Sequence, residues 1–91
     1  MKTFSWDSAK NDWLMAERGV SFERVMQRIE MGQVLDVVRH PNPERYPYQR
    51  MFIVDIDGYA CLVPFVESGD EVFLKTIIPS RKATRRYLGG R

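Results

Sequence analysis

The side chains in this sequence that could do chemistry are mostly arginines, lysines and tyrosines, with one histidine and one cysteine. His40 and Cys61 stand alone and the carboxylates are scattered, so no group of ligands has the spacing of a metal site. A glycine-rich phosphate loop before a helix and a Ser or Cys nucleophile motif are absent from the sequence as well. These observations disfavour hydrolysis by a metal-activated water, and we expect no cofactor.

A phosphodiester of RNA suits the remaining groups, because RNA carries its own nucleophile in the 2′-hydroxyl. The protein must align that oxygen, stabilise negative charge around phosphorus and move two protons. Arg50 at the start of a predicted strand and Arg81 at the start of a predicted helix could grip phosphate oxygens through their planar guanidinium groups. Arg81 also has the first-turn amides of its helix beside it. The candidates for moving protons are His40, Glu44, Tyr46, Tyr48 and Tyr87.

Charge is distributed unevenly along the chain, although the net charge is only +2. Residues 1–71 hold eight Lys or Arg against twelve Asp or Glu, a net charge of −4. Residues 72–91 hold no acid and six bases, which are Lys75, Arg81, Lys82, Arg85, Arg86 and Arg91. A basic end of this kind can bind a polyanion, and the alternative is a helix whose charged face is simply solvated.

The segment 40–49 (HPNPERYPYQ) is rich in both prolines and functional groups. Its three prolines stiffen it, and it contains His40, Glu44, Tyr46 and Tyr48. A rigid loop of this composition could hold a site. The alternative is a connection fixed by proline whose tyrosines pack on the edge of the sheet.

Two helices are predicted in the first third of the chain. The first begins after Asp7 or Ser8 as N-cap and ends at Gly19, and the second begins after Ser21 and runs to about Met31. An apolar stripe at helical spacing marks the second helix and consists of Phe22, Val25, Met26 and Ile29.

Extended structure is predicted beyond Gly32. The candidate strands are 34–38, 51–56, 59–66 and 71–78. Asp57-Gly58 has the composition of a type I′ hairpin turn and a second turn is expected at 68–70, so the last three strands should form an antiparallel meander. Pro64 lies inside one of them and requires either a bulge or a neighbour that needs no hydrogen bond from it.

The end of the chain predicts a short basic helix. Pro79 ends the last strand, Ser80 is a suitable N-cap, and the helix should span 81–88 before Gly89-Gly90. The predicted fold is therefore α+β, with two N-terminal helices, an antiparallel sheet of about four strands and a basic C-terminal helix. At 91 residues, the chain should form a single domain, 1–91.

Composition also bounds the environment of the protein. Without an apolar run near the ~20 residues that a membrane span needs, or the apolar centre of a signal peptide, we expect a cytoplasmic protein that does not contact membranes. Cys61 lies in an apolar run and is expected in the core. Trp6 and Trp13 are also expected to be core residues, and the alternative for them is a role as platforms on which bases stack.

Residues 4–11 (FSWDSAKN) and 19–23 (GVSFE) form a pattern near the start of the sequence. This pattern resembles the start of the BrnT family of toxins, F-x-W-D-x-x-K-x followed by G-[IV]-x-F-E. Arg50 corresponds to the arginine that opens a central strand. Residues 76–86 (TIIPSRKATRR) resemble the ending R-I-I-S-A-R-K-A-T-R-R. The sequence departs from the family at Glu17-Arg18, where Lys-His is frequent, at Thr76 in place of Arg, and at Tyr87 in place of Glu.

The resemblance implies a RelE-like fold and a metal-independent endoribonuclease that halts translation. It implies Arg50 and Arg81 as active-site residues, with Lys10 and Lys82 as supporting positive charge. The implied partners are RNA, which can include ribosome-associated mRNA, and a cognate ribbon-helix-helix antitoxin.

Two hypotheses follow for the function. In the first, the chain is an endoribonuclease toxin in which Arg50 and Arg81 stabilise the phosphate and Lys10, Lys75, Lys82, Arg85 and Arg86 bind RNA. In the second, it is a non-catalytic module whose basic C-terminal helix binds a nucleic acid or a protein.

Overall fold

The computed structural model describes residues 2–89, in which one short strand is followed by two helices, then five strands and a last helix. The strands are β1 (Thr3–Ser5), β2 (Val34–Arg39), β3 (Arg50–Ile56), β4 (Tyr59–Ser68), β5 (Glu71–Leu74) and β6 (Ile78–Pro79). The helices are α1 (Ser8–Arg18), α2 (Phe22–Glu30) and α3 (Arg81–Leu88). The predicted α+β class is confirmed, but a strand precedes the first helix. Gly90 of the predicted helix stop and the basic Arg91 lie outside the described residues.

The sheet is mixed and has six strands, so the prediction of an antiparallel sheet of about four strands is wrong. Its order is β1-β5-β4-β3-β2, and β6 pairs with β4 next to β5. β1 runs parallel to β5, with Phe4 opposite Val72. A strand of three residues is too short for alternation to be visible in the sequence, and its pairing with a strand near the other end of the chain is a non-local interaction.

The predicted strand 71–78 is interrupted opposite Pro64. Leu74 of β5 pairs with Phe65, whereas Ile78 of β6 pairs with Leu62, so the segment between β5 and β6 has one residue more than the β4 segment it faces. The carbonyl of Pro64 accepts the Lys75 N–H at 2.8 Å. Because the N–H and C=O of one residue point to the same side of an antiparallel strand, the N–H that Pro64 lacks would face this interruption. The proline therefore removes no regular ladder bond.

The two faces of the sheet are covered by different helices. On the first, named the α1/α2 face, Leu14, Phe22 and Val25 pack against buried residues of β3, β4 and β5. On the second, named the α3 face, Ala83 and Leu88 pack against Ile53 and Ala60. Cross-strand neighbours share a face, so the strand register assigns each sheet residue to one of these two sides.

The tryptophans differ in their environments. Trp6 is half-buried and stacks on Phe22 with ring centroids 5.7 Å apart, as expected for a core residue. Trp13 is 45% exposed, so its prediction as a core residue is wrong. Leu14, the next residue, is the one that points into the core, and Lys10 and Arg18 contact the Trp13 ring instead.

Local signals of helix start and turn are confirmed. Ser21 accepts the Arg24 N–H at 3.1 Å and Ser80 accepts the Ala83 N–H at 3.0 Å, so both serines cap their helices. Asp57 and Gly58 have φ values of 55° and 85°, as a type I′ turn requires. In the part of the chain that is described, no helix is long and apolar enough to cross a membrane.

Candidate functional site

Arg50, the first residue of β3, lies on the α1/α2 face in a cluster of charged side chains. It is opposite Arg39 of β2 on one side and Phe65 of β4 on the other. Its guanidinium carbon lies 5.2 Å from the centre of the Phe65 ring. Glu67 forms ion pairs with both Arg50 and Lys2. A carboxylate is thus held between two cations, with a third cation on the neighbouring strand.

An open groove of about 360 Å³ runs past this cluster. We name it the Arg50 groove, and its lining residues are Arg39, Pro47, Tyr48, Arg50, Phe65 and Glu67. Tyr48 is 89% exposed, so its hydroxyl is available to a bound molecule. The groove therefore combines two guanidinium groups, one carboxylate and one phenol at a solvent-accessible position.

Glu67 and Arg39 were missed as site residues at the level of sequence. Glu67 follows Phe65 by two positions in β4, and residues two apart on a strand share a face. The register that places Phe65 opposite Arg50 therefore also brings Glu67 to Arg50. No local motif marks either residue, because the signal lies in the pairing of strands from different parts of the sequence.

The loop 40–49 contributes Pro47 and Tyr48 to the Arg50 groove, whereas His40 and Glu44 are not among its lining residues. The His40 ring packs on Tyr46 at 4.4 Å between centroids, and its Nδ1 accepts the Asn42 N–H at 3.0 Å. Glu44 is exposed within the turn of the loop. The histidine therefore organises the loop through one ring nitrogen.

The basic helix α3 borders a second groove of about 300 Å³ on the α3 face, here named the α3 groove. Lys82 and Arg86, one turn apart, lie along it, above an apolar floor that includes Ile53 and Leu62. Arg81 and Arg85 are exposed and do not line it.

Tyr87 connects α3 to the edge strand β2. Its hydroxyl donates a hydrogen bond to Asp36 Oδ2 at 2.8 Å, and this hydrogen bond raises the pKa of Tyr87 above its ordinary value. The hydrogen bond therefore favours the protonated form of the phenol. Tyr87 lines the α3 groove and lies on the face opposite Arg50.

Arg50 and Arg81 do not meet, so the expectation that they stabilise the same phosphate is corrected. Arg50 lies on the α1/α2 face opposite Phe65, whereas α3 packs on the other face and the Ser80 N–H bonds to the Ala60 carbonyl. Phe65 and Ala60 are five residues apart on β4, about 17 Å along a strand. The sheet separates the two arginines.

The other predicted cations are dispersed. Lys10 lies on α1 with its Nζ 4.6 Å from the centre of the Trp13 ring, and Lys75 is exposed just after β5.

Cys61 is buried in the core as predicted, and burial, followed by the charge of Asp55, raises the pKa of its thiol to about 11. Within residues 2–89, no three His, Cys, Asp or Glu side chains are grouped as metal ligands would be.

Comparison with known proteins does not add a family assignment. No protein-family model matches the sequence, and no curated protein is significantly similar to it. The resemblance to BrnT toxins therefore stays a prediction from the three sequence stretches.

Proposed function

We propose that this protein is a metal-independent endoribonuclease that cleaves RNA in the Arg50 groove. The observation that carries the proposal is the carboxylate of Glu67 held beside Arg50, with Arg39 opposite Arg50, at an open groove. Cleavage by the 2′-hydroxyl needs cations that stabilise the phosphate and a base that takes a proton, and the arginines and Glu67 are groups of these kinds.

In the proposed reaction, Arg39 and Arg50 bind the non-bridging oxygens of one phosphate. Glu67 takes the proton of the 2′-hydroxyl as that oxygen attacks phosphorus. The bond from phosphorus to the 5′-oxygen breaks, and Tyr48 supplies a proton to the leaving oxygen. The products are a 2′,3′-cyclic phosphate and a 5′-hydroxyl, and exchange with water restores the protonation states of Glu67 and Tyr48. The ion pairs of Glu67 orient its carboxylate for this role.

The cations of α3 have a separate role in this proposal. Lys82 and Arg86 bind flanking RNA or an acidic segment of the antitoxin that the family resemblance implies, because they line the α3 groove and not the Arg50 groove. Cleavage of mRNA would halt translation, and the antitoxin would restrain it.

The test is cleavage of single-stranded RNA by purified protein in an excess of chelator. We expect cutting with 2′,3′-cyclic phosphate ends, and resistance of RNA that carries a 2′-deoxy nucleotide at the cut position. Glu67→Gln should slow cleavage roughly 10²- to 10⁴-fold, the usual contribution of a positioned acid or base. Glu30→Gln, an exposed change at the end of α2, is the matched control. Cutting that requires Mg²⁺, or a Glu67→Gln variant as active as Glu30→Gln, would contradict the proposal.

A second candidate is the non-catalytic module that binds RNA or protein through α3. It is favoured by the four exposed cations of the helix, because the ion pairs among residues 2–89 involve Lys2, Arg24, Arg28 and Arg50 and none of these four. Binding of RNA without any cleavage, lost when Lys82 and Arg86 are changed to Gln, would favour this candidate.

A further inference from the structure

An apolar pocket of about 320 Å³ adjoins the Arg50 groove on the α1/α2 face. The pocket and the groove share Arg50, Phe65 and Glu67. The remaining lining of the pocket is mainly apolar and includes Phe4, Val37 and Phe52. A molecule that binds cations in the groove can therefore place an attached apolar group in the pocket.

The pocket exists because α2 does not cover this part of the sheet. The helix ends at Glu30, and Ile29 in its last turn forms one wall. Val37 of the edge strand β2 forms another part of the wall and is 42% exposed. Apolar sheet residues that would otherwise be buried under a helix thus remain accessible.

The aromatic side chains of the pocket are arranged in a stack. The Phe52 and Phe65 rings are parallel within 15°, with centroids 4.0 Å apart. Phe65 is buried, whereas Phe52 is only half-buried. The accessible part of the stack therefore belongs to Phe52, which can contact another flat ring.

We infer that this pocket binds one unpaired base of single-stranded RNA, next to the phosphate that is cut. The inference rests on the proposed function for its ligand. Charge complementarity supports this occupant, because Arg39 and Arg50 line the adjoining groove, which can hold the phosphate of the same nucleotide. The volume is at the small end of the range of about 300–1,000 Å³ for ligand sites, which suits a single base better than a peptide helix. A base paired in a duplex cannot enter, so the substrate is single-stranded.

The experiment measures binding of 2′-O-methyl oligoribonucleotides, which lack the free 2′-hydroxyl and cannot be cut by the proposed reaction. A series with one abasic site at successive positions is compared with the intact oligonucleotide by fluorescence anisotropy. We expect one abasic position to weaken binding roughly tenfold or more, the size of a stacking contact. Phe52→Leu should weaken binding of the intact oligonucleotide similarly, and the abasic site should then cost little more.

Phe73→Leu is the matched control, because Phe73 is a half-buried phenylalanine that pairs with Val66, on the opposite face from Phe65. It should leave both affinities nearly unchanged. If the losses of affinity from Phe52→Leu and from the abasic site are additive, the pocket does not bind a base. The same conclusion follows if Phe52→Leu and Phe73→Leu lower the affinity equally. Neither result would contradict the proposed cleavage of RNA. If the losses of affinity are not additive but the protein does not cut RNA, the inference that the pocket binds a base is supported and the proposed nuclease function is contradicted.

Discussion

One buried polar residue, Asn11, joins α1 to α2 through hydrogen bonds that an apolar sequence pattern does not predict. Asn11 on α1 is 5% exposed and joins the start of α2 through both ends of its amide. Its Oδ1 accepts the Phe22 N–H at 2.8 Å, and its Nδ2 donates to Glu23 Oε1 at 2.7 Å. The Phe22 N–H belongs to the first turn of α2 and has no partner within the helix, so Asn11 satisfies a donor that burial would otherwise penalise.

Asn11→Ala should lower the free energy of unfolding by about 1–3 kcal/mol, because it leaves the Phe22 N–H buried without an acceptor. Denaturant titration measures the change. Asp12→Ala, an exposed substitution on the same helix, controls for helix propensity and should have a much smaller effect. Equal losses in the two variants would show that the Asn11 contacts contribute nothing specific.

At the scale of elements, the contact between α3 and β2 depends on protonation. The pKa of Tyr87 is raised mainly by its hydrogen bond to Asp36, so the folded protein favours the neutral phenol. The stabilisation from this bond is fully present below the unfolded pKa near 10 and is lost as pH rises through the higher folded value.

Tyr87→Phe should therefore reduce stability at neutral pH and have a smaller effect as the pH rises through the folded pKa of Tyr87. Phenolate absorbance gives a second measurement, because the ionisation of Tyr87, whose pKa is raised in the folded protein, should be missing from Tyr87→Phe. Asp36→Asn is the companion variant and should shift that ionisation to lower pH. A Tyr87→Phe effect that persists unchanged into the alkaline range would argue against the hydrogen bond as its source.

Local elements were predictable from sequence, but their assembly was not. The caps Ser21 and Ser80 and the Asp57-Gly58 turn are specified by neighbouring residues, and each is present in the structure. β1 and the β5–β6 interruption depend on pairing between distant segments. The candidate site was predictable to the same extent. Arg50 could be identified from its residue type, whereas Glu67 could be identified only from the register of β3 against β4.

For the whole molecule, the mixed sheet divides the positive charge between two faces. Arg39 and Arg50 lie beside Glu67 on the α1/α2 face, and the cations of α3 lie on the other. In the proposed function, RNA is cut on the α1/α2 face and held by charge on the α3 face. A protein partner bound only to the α3 face would leave the Arg50 groove open unless it also covered the β2 edge.

The most direct test of this division is the single-turnover rate of RNA cleavage by Arg50→Lys compared with Arg81→Lys. Each change keeps the positive charge and removes the planar fork that binds two phosphate oxygens. We predict that Arg50→Lys slows cleavage roughly 10²-fold, with thermal stability nearly constant, and that Arg81→Lys changes the rate by less than about tenfold. The opposite order, with Arg81→Lys strongly impaired and Arg50→Lys as active as the parent, would place the chemistry on the α3 face and contradict the account.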